Sequence, residues 1–186
     1  MNHNHIPTEQ EEQVAAEANA VFAEQIKHFK NACGALQDIE SNLTTIGNEA
    51  FKTALLSPGR TIQTDDGTEW RHGLDLSNIT SICHRRTEAG LEFAIVECLS
   101  LPSGEQKEVL NSGHNVRDVL RDFLRDQKQV LNLWKDDVKE QVKEHLDKNY
   151  PRQDMGIVVE SFEIKMSRAV SEIRSLAQNQ SHGIRI

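Results

Sequence analysis

The spacing of apolar residues changes twice along this chain, and that change limits the folds available to it. Apolar residues recur every three or four positions up to about residue 57, alternate between about 60 and 112, and return to the helical spacing from about 115 onward. The first spacing places side chains on one face of a helix, whereas alternation places them on one face of a strand. The sequence therefore predicts an α+β fold in which long helices flank a small antiparallel sheet.

The first helical segment covers residues 8–57, after a tail at 1–7 that we expect to be disordered. It opens with three glutamates, which are favourable at a helix N-terminus. Its apolar positions then advance by four and three residues, which is the spacing of a heptad seam. Weak helix formers at 41–47 predict a kink in this region.

Residues 58–113 have the composition of an antiparallel β region with four or five strands. Pro58 and Gly59 end the helical segment, and the following β-compatible runs are separated by turn residues. Asp66 and Gly67 form a strong hairpin signal, because a tight turn between strands favours a residue with positive φ.

Two further helices are predicted at 114–149 and 150–178, followed by a tail at 179–186. A short strand near 155–160 is the alternative for the start of the third helix, where Gly156 and two adjacent valines weaken the helical pattern. A helix of about 34 residues is roughly 50 Å long, whereas a compact domain of this size has a radius of gyration near 16 Å. We therefore expect a stem of three helices with coiled-coil-like packing and the sheet inserted between helices 1 and 2.

Charge and cysteine content restrict the compartment and the partners. The chain has 29 acidic and 21 basic side chains and a net charge of −8, which disfavours nucleic acid and anionic membrane surfaces as partners. Its three cysteines are far apart, no signal peptide is recognisable, and no apolar run is long enough to span a bilayer. The sequence predicts a cytoplasmic protein with no transmembrane segment, and membrane-surface binding is not expected.

The first functional hypothesis is a non-enzymatic scaffold or adaptor that binds itself or another protein through the helical stem. An exposed heptad seam favours such association, although the three helical stripes could also satisfy one another within one chain. The residues assigned to the interaction seam are Phe22, Ile26, Phe29, Leu36, Leu43, Leu131, Trp134 and Val138.

The second hypothesis is a regulatory module that binds a ligand or a phosphate headgroup on the sheet. Arg71, Arg85 and Arg86 are the candidate anion contacts, and with His72 and His84 they form the local basic concentration of the β region. Several strands followed by one helix, over about 60–125, are loosely similar to pleckstrin-homology-type modules. That resemblance implies headgroup binding, but it has no diagnostic motif and assigns no residue.

The third hypothesis is an enzyme that uses Cys83 or Cys98. The sequence contains none of the common phosphate-loop, dinucleotide, zinc-protease or serine-hydrolase motifs. A zinc site is not expected either, because the adjacent Cys83 and His84 would face opposite sides of a strand. The sequence assigns no catalytic residue, cofactor or metal.

Overall fold

The structure is a computed structural model that describes residues 5–174. Most of the predicted N-terminal tail, the predicted end of the third helix at 175–178 and the tail at 179–186 lie outside this range. The described chain divides into two compact units. The helical unit contains the residues up to Gln37 together with Lys128–Arg174, and the sheet unit contains Asp38–Gln127.

Residues 5–174 form five α-helices and five β-strands, so the protein has an α+β fold. The helices are α1 (Glu9–Val21), α2 (Ala23–Ser41), α3 (Leu43–Leu56), α4 (Val116–Asn149) and α5 (Gly156–Ser171). The strands are β1 (Thr61–Gln63), β2 (Glu69–Asp75), β3 (Thr80–Thr87), β4 (Gly90–Leu101) and β5 (Gly104–Gly113).

Three helices precede the sheet, so the predicted arrangement of three helices with a sheet between the first and second is wrong. The sheet lies between α3 and α4. The segment predicted as one helix is interrupted at Phe22, which leaves helical geometry at φ −100° and ψ 9°. The ring of Phe22 packs edge-on against His145 and Phe162. This interruption accompanies tertiary packing and has no glycine or proline to signal it.

The second interruption lies at Asn42, inside the range where weak helix formers predict a kink. The Asn42 side-chain amide donates a hydrogen bond of 2.9 Å to the Asp38 carbonyl oxygen, and so competes with the backbone for that acceptor. At the start of α5, Gly156 and the residues after it are helical, so the alternative strand at 155–160 is wrong.

Aromatic and aliphatic side chains fill the core of the helical unit. Phe29 and Phe162 have no measurable exposure, and the ring centroid of Phe29 lies 5.3 Å from that of Trp134. A Lys139–Glu163 ion pair of 2.6 Å joins α4 to α5 at the surface. The apolar stripes of α1, α2, α5 and the second part of α4 are therefore buried against one another within this unit.

The sheet has the strand order β1-β2-β3-β4-β5, and every neighbouring pair is antiparallel. Gly67, Gly90 and Gly104 have positive φ values at the three tight turns, which side chains with a Cβ rarely adopt. The sheet forms a half-barrel. The backbone amide of Asp65, just after β1, donates a hydrogen bond of 2.8 Å to the Lys107 carbonyl oxygen of β5, which joins the two edge strands.

Apolar residues cover both faces of the sheet. The inner face of the half-barrel holds one core cluster, composed of Ile62, Trp70, Cys83, Ala94 and Val96. The outer face carries the alternate residues of the same strands, and two helices lie against it. Phe51 of α3 packs on Phe93 with ring centroids 6.4 Å apart. The Asn111 side chain donates a hydrogen bond of 2.9 Å to the Asp126 carboxylate of α4. Within residues 5–174, no helix combines the length and apolar content needed to cross a bilayer.

Replacement of Phe162 by alanine tests the helical core. Because this ring is fully buried, we expect Phe162→Ala to lower the free energy of unfolding by about 3–5 kcal/mol. Ile164→Ala in the same helix is the matched control, since this side chain is 50% exposed and should lose less than about 1 kcal/mol. Urea unfolding measures the free energy of unfolding of both variants. Equal decreases in the two variants would contradict the packing described above.

Candidate anion-binding cavity

A cavity of about 430 Å³ lies in the sheet unit, where the end of α3 meets β2 and β3. The end of α3 and Pro58, two residues after the helix, form one wall, and the two strands form the other. The lining residues are Ala54, Leu55, Pro58, Glu69, Trp70, Arg71, His84, Arg85 and Arg86. This cavity contains all three arginines that the sequence indicated as anion contacts.

Strand register determines which of these side chains share a face. Arg71 of β2 lies directly opposite His84 of β3, and Arg86 lies two residues further along β3. Since side chains two apart on a strand project to the same side, Arg71, His84 and Arg86 belong to the outer face of the sheet. They are therefore neighbours beside the end of α3.

Arg85 belongs to the opposite face and its charge is already paired. Its guanidinium lies 4.7 Å from the centre of the Trp70 ring and 2.8 Å from the Glu92 carboxylate. Both partners belong to the inner face of the half-barrel. The structure thus groups Arg71 and Arg86, whereas Arg85 stabilises the inner face through an ion pair and a cation–π contact.

The two outer-face arginines remain largely available to a ligand. Arg71 is exposed and donates one long hydrogen bond of 3.4 Å to the Gly59 carbonyl oxygen. Arg86 is exposed, and its side chain makes no hydrogen bond or ion pair with any residue in the described range. Glu69 is the acidic residue of the lining and reduces the positive charge there. Because guanidinium groups only donate hydrogen bonds, the arginines select for ligands with acceptor oxygens.

His84 lies beside these arginines and is only 4% exposed, and its Nε2 atom has no hydrogen-bond partner. Burial lowers the pKa of His84, and the positive charges of Arg71 and Arg86, with His72, lower it further. The imidazole is therefore neutral at pH 7. A buried nitrogen without a partner is uncommon and is consistent with a site that a ligand completes.

Gly73 makes room for the Ile82 carbonyl oxygen of the neighbouring strand β3. A Cβ at position 73 would lie 2.6 Å from the Ile82 carbonyl oxygen and 3.5 Å from His84 Nδ1. The pairing of β2 with β3 shifts register at this point, between His72 and Leu74. The glycine and the β-bulge thus allow the two strands to approach closely beneath the cavity.

The side chains of the predicted interaction seam are mostly packed within the chain. Ile26 and Trp134 are half-buried, and the other six residues, Phe22, Phe29, Leu36, Leu43, Leu131 and Val138, are buried. Leu43 belongs to the sheet unit and the remaining seven belong to the helical unit. Self-association through this seam stays a prediction, and a partner would reach most of its residues only after local opening.

The cysteines offer little support for thiol chemistry. Burial raises the pKa of the Cys83 thiol to about 12, and burial also raises the pKa of Cys33. Both thiols are therefore protonated at pH 7 and are poor nucleophiles. Cys98 is half-buried in the sheet unit. No group of three or more His, Cys, Asp or Glu side chains in the described part of the chain is arranged to hold a metal ion.

Sequence reasoning grouped the basic residues but missed two features of the site. It counted His84 among the basic residues of the β region without identifying it as buried, although alternation places His84 on the same face as Ile82, a core side chain. It also did not place Leu55 or Pro58 near the basic residues, because their position beside β2 and β3 depends on how α3 packs on the sheet.

The depressed pKa of His84 predicts a loss of stability in mild acid. As the pH falls below about 6.5, the unfolded chain takes up a proton at His84 before the folded chain does, so the free energy of unfolding decreases. We expect His84→Leu to remove this part of the decrease between pH 7.5 and 5.5, as measured by urea unfolding. His28→Gln, at a position that is 66% exposed on α2, should leave it unchanged. A full pH dependence in His84→Leu would contradict the assignment.

Comparison with known proteins identifies no relative: no protein-family model, no curated protein and no solved structure matches this chain.

Proposed function

We propose that the sheet unit is a non-enzymatic binding module for a small dissolved anion, such as a phosphate or carboxylate compound. The observation that carries this proposal is the convergence of Arg71, Arg86 and the unpartnered His84 on one cavity. In a chain with a net charge of −8, such a local group of cations is unusual. Neither Arg71 nor Arg86 forms an ion pair with an acidic side chain in the part of the chain that the structure describes.

The expected binding energy comes from charge-assisted hydrogen bonds. Each bond from a guanidinium to an anionic oxygen contributes about 1.5–3 kcal/mol, and solvent screening reduces this for exposed side chains. The Nε2 atom of His84 is itself fully buried, so the imidazole can donate to the anion only when the ring or a neighbouring side chain moves to expose that nitrogen. The two arginines therefore supply most of a modest affinity that depends on salt concentration.

The lining favours binding over catalysis. Among the described residues that form the cavity, none is a serine, threonine or cysteine that could act as a covalent nucleophile. The Nε2 atom of the buried imidazole has no hydrogen-bond partner among the described residues, so no carboxylate orients the ring through that nitrogen as a general base. The arrangement supplies recognition of negative charge, which is the role of a ligand-sensing module.

Substitution of the two outer-face arginines tests the proposal. We expect Arg71→Gln and Arg86→Gln each to weaken inorganic phosphate binding about tenfold or more, because each removes a charge-assisted donor. Glu69→Gln should strengthen binding, because it removes the negative charge from the lining. Isothermal titration calorimetry at low and high salt measures these changes.

The control is Arg125→Gln, which removes the same charge from a position on α4 where the Arg125 side chain is 64% exposed. It should change the affinity for phosphate by less than about twofold, as expected for a screened, distant charge. Equal effects of Arg86→Gln and Arg125→Gln would show that net charge alone governs binding and would contradict a site in this cavity.

Self-association through α4 is a second candidate function. Val130 and Leu133 are 52% and 66% exposed and lie three residues apart in the helical unit. They form a small apolar strip beside the buried stripe of the same helix, which a second copy of the chain could cover.

Light scattering after size exclusion tests self-association and should give at least twice the chain mass of 21.0 kDa, and Leu133→Lys should restore the monomer. A monomeric mass at all concentrations would exclude this candidate.

A further inference from the structure

We infer that the anion bound in this cavity is a small organic molecule with one charged headgroup and a compact apolar body, either aromatic or branched aliphatic. The inference rests on the proposed anion-binding function and specifies the class of ligand. It is carried by the contrast between the two walls of the cavity.

The strand wall is polar and the helix wall is apolar. Of the lining residues on β2 and β3, four project to the outer face of the sheet, namely Glu69, Arg71, His84 and Arg86, whereas Trp70 and Arg85 project to the inner face. Ala54, Leu55 and Pro58 form the helix wall, and none of the three carries a polar side-chain atom. A ligand that fills the space between the walls therefore meets donors on one side and hydrocarbon on the other. An inorganic anion would contact only the hydrogen-bond donors of the strand wall.

Leu55 is the residue that an apolar ligand group would cover. This side chain is 46% exposed although it lines the cavity, whereas Ala54 beside it is only 5% exposed. Covering an exposed leucine removes apolar surface from water, which favours binding. Pro58 has a rigid ring that cannot rotate away from the wall. The exposed part of Leu55 and the Pro58 ring thus give the helix side an apolar surface.

The size of the cavity supports a ligand larger than inorganic phosphate. Its volume of about 430 Å³ falls within the usual range for small-molecule sites, roughly 300–1,000 Å³. A single tetrahedral anion would leave most of this space to water. A phosphate or carboxylate attached to one ring or one branched chain would occupy both walls together.

A dissolved ligand fits these observations better than a membrane lipid. The basic group lies in a concave site between α3 and the sheet, and the net charge of −8 repels an anionic bilayer at longer range. The apolar wall is limited to three small or medium side chains, which suits a compact group.

The test compares two probes, phenyl phosphate and inorganic phosphate, by calorimetry on the full chain. We expect phenyl phosphate to bind about tenfold more tightly. Leu55→Gln should weaken phenyl phosphate about fivefold, which is consistent with the loss of a partly buried leucine surface, and should change inorganic phosphate by less than about twofold. Leu56→Gln is the matched control, because Leu56 is the next residue of α3, is 70% exposed and does not line the cavity. It should leave both affinities unchanged.

The outcomes separate this inference from the proposed function. Equal binding of the two probes, with no effect of Leu55→Gln, would overturn the apolar body and leave anion binding intact. Absence of binding by both probes, or binding unaffected by Arg71→Gln and Arg86→Gln, would overturn anion binding and with it this inference. Sedimentation with phosphatidylserine vesicles that Arg86→Gln abolishes would overturn the assignment to a dissolved ligand.

Discussion

The pairing of β2 with β3 is the constraint on which the candidate site depends. Because Arg71 and His84 are direct partners across these strands, the alternation of the backbone decides which charges face the cavity and which face the inner core. It separates Arg86 from Arg85 although they are adjacent in sequence. A shift of β2 by one residue against β3 would move the Arg71 guanidinium to the inner face, away from Arg86, and would bring the Trp70 ring to the outer face.

The electrostatics of the cavity follow from the burial of one imidazole beside two cations. His84 remains neutral because a charged ring would lose its hydration and would be repelled by Arg71 and Arg86. An anion bound between these groups would weaken both causes of the neutral state. Its oxygen atoms would replace part of the lost hydration, and its negative charge would offset the positive charge of the two arginines. The site therefore favours negative charge, and its affinity for an anion should increase when the imidazole gains a proton.

Local sequence patterns predicted part of this structure, and tertiary packing decided the rest. Alternating residues and the turn signal at Asp66 and Gly67 indicated the antiparallel sheet because these features act over a few neighbouring positions. The interruption at Phe22 was missed because it accompanies ring contacts with residues more than a hundred positions away. The same limit applies to the cavity: alternation could have assigned His84 to the buried face, but nothing local places Leu55 beside it.

The most direct test of the account is the ring nitrogen spectrum of the histidines during a titration with phenyl phosphate. Nitrogen-15 NMR resolves the ring nitrogens of individual histidines. We expect the signals of His84 to shift progressively and to saturate at the ligand concentrations at which calorimetry shows saturation, while those of the exposed His28 and His114 stay in place. A His84 signal that does not move at saturating ligand, or equal movement of all histidines, would contradict an anion site beside this residue.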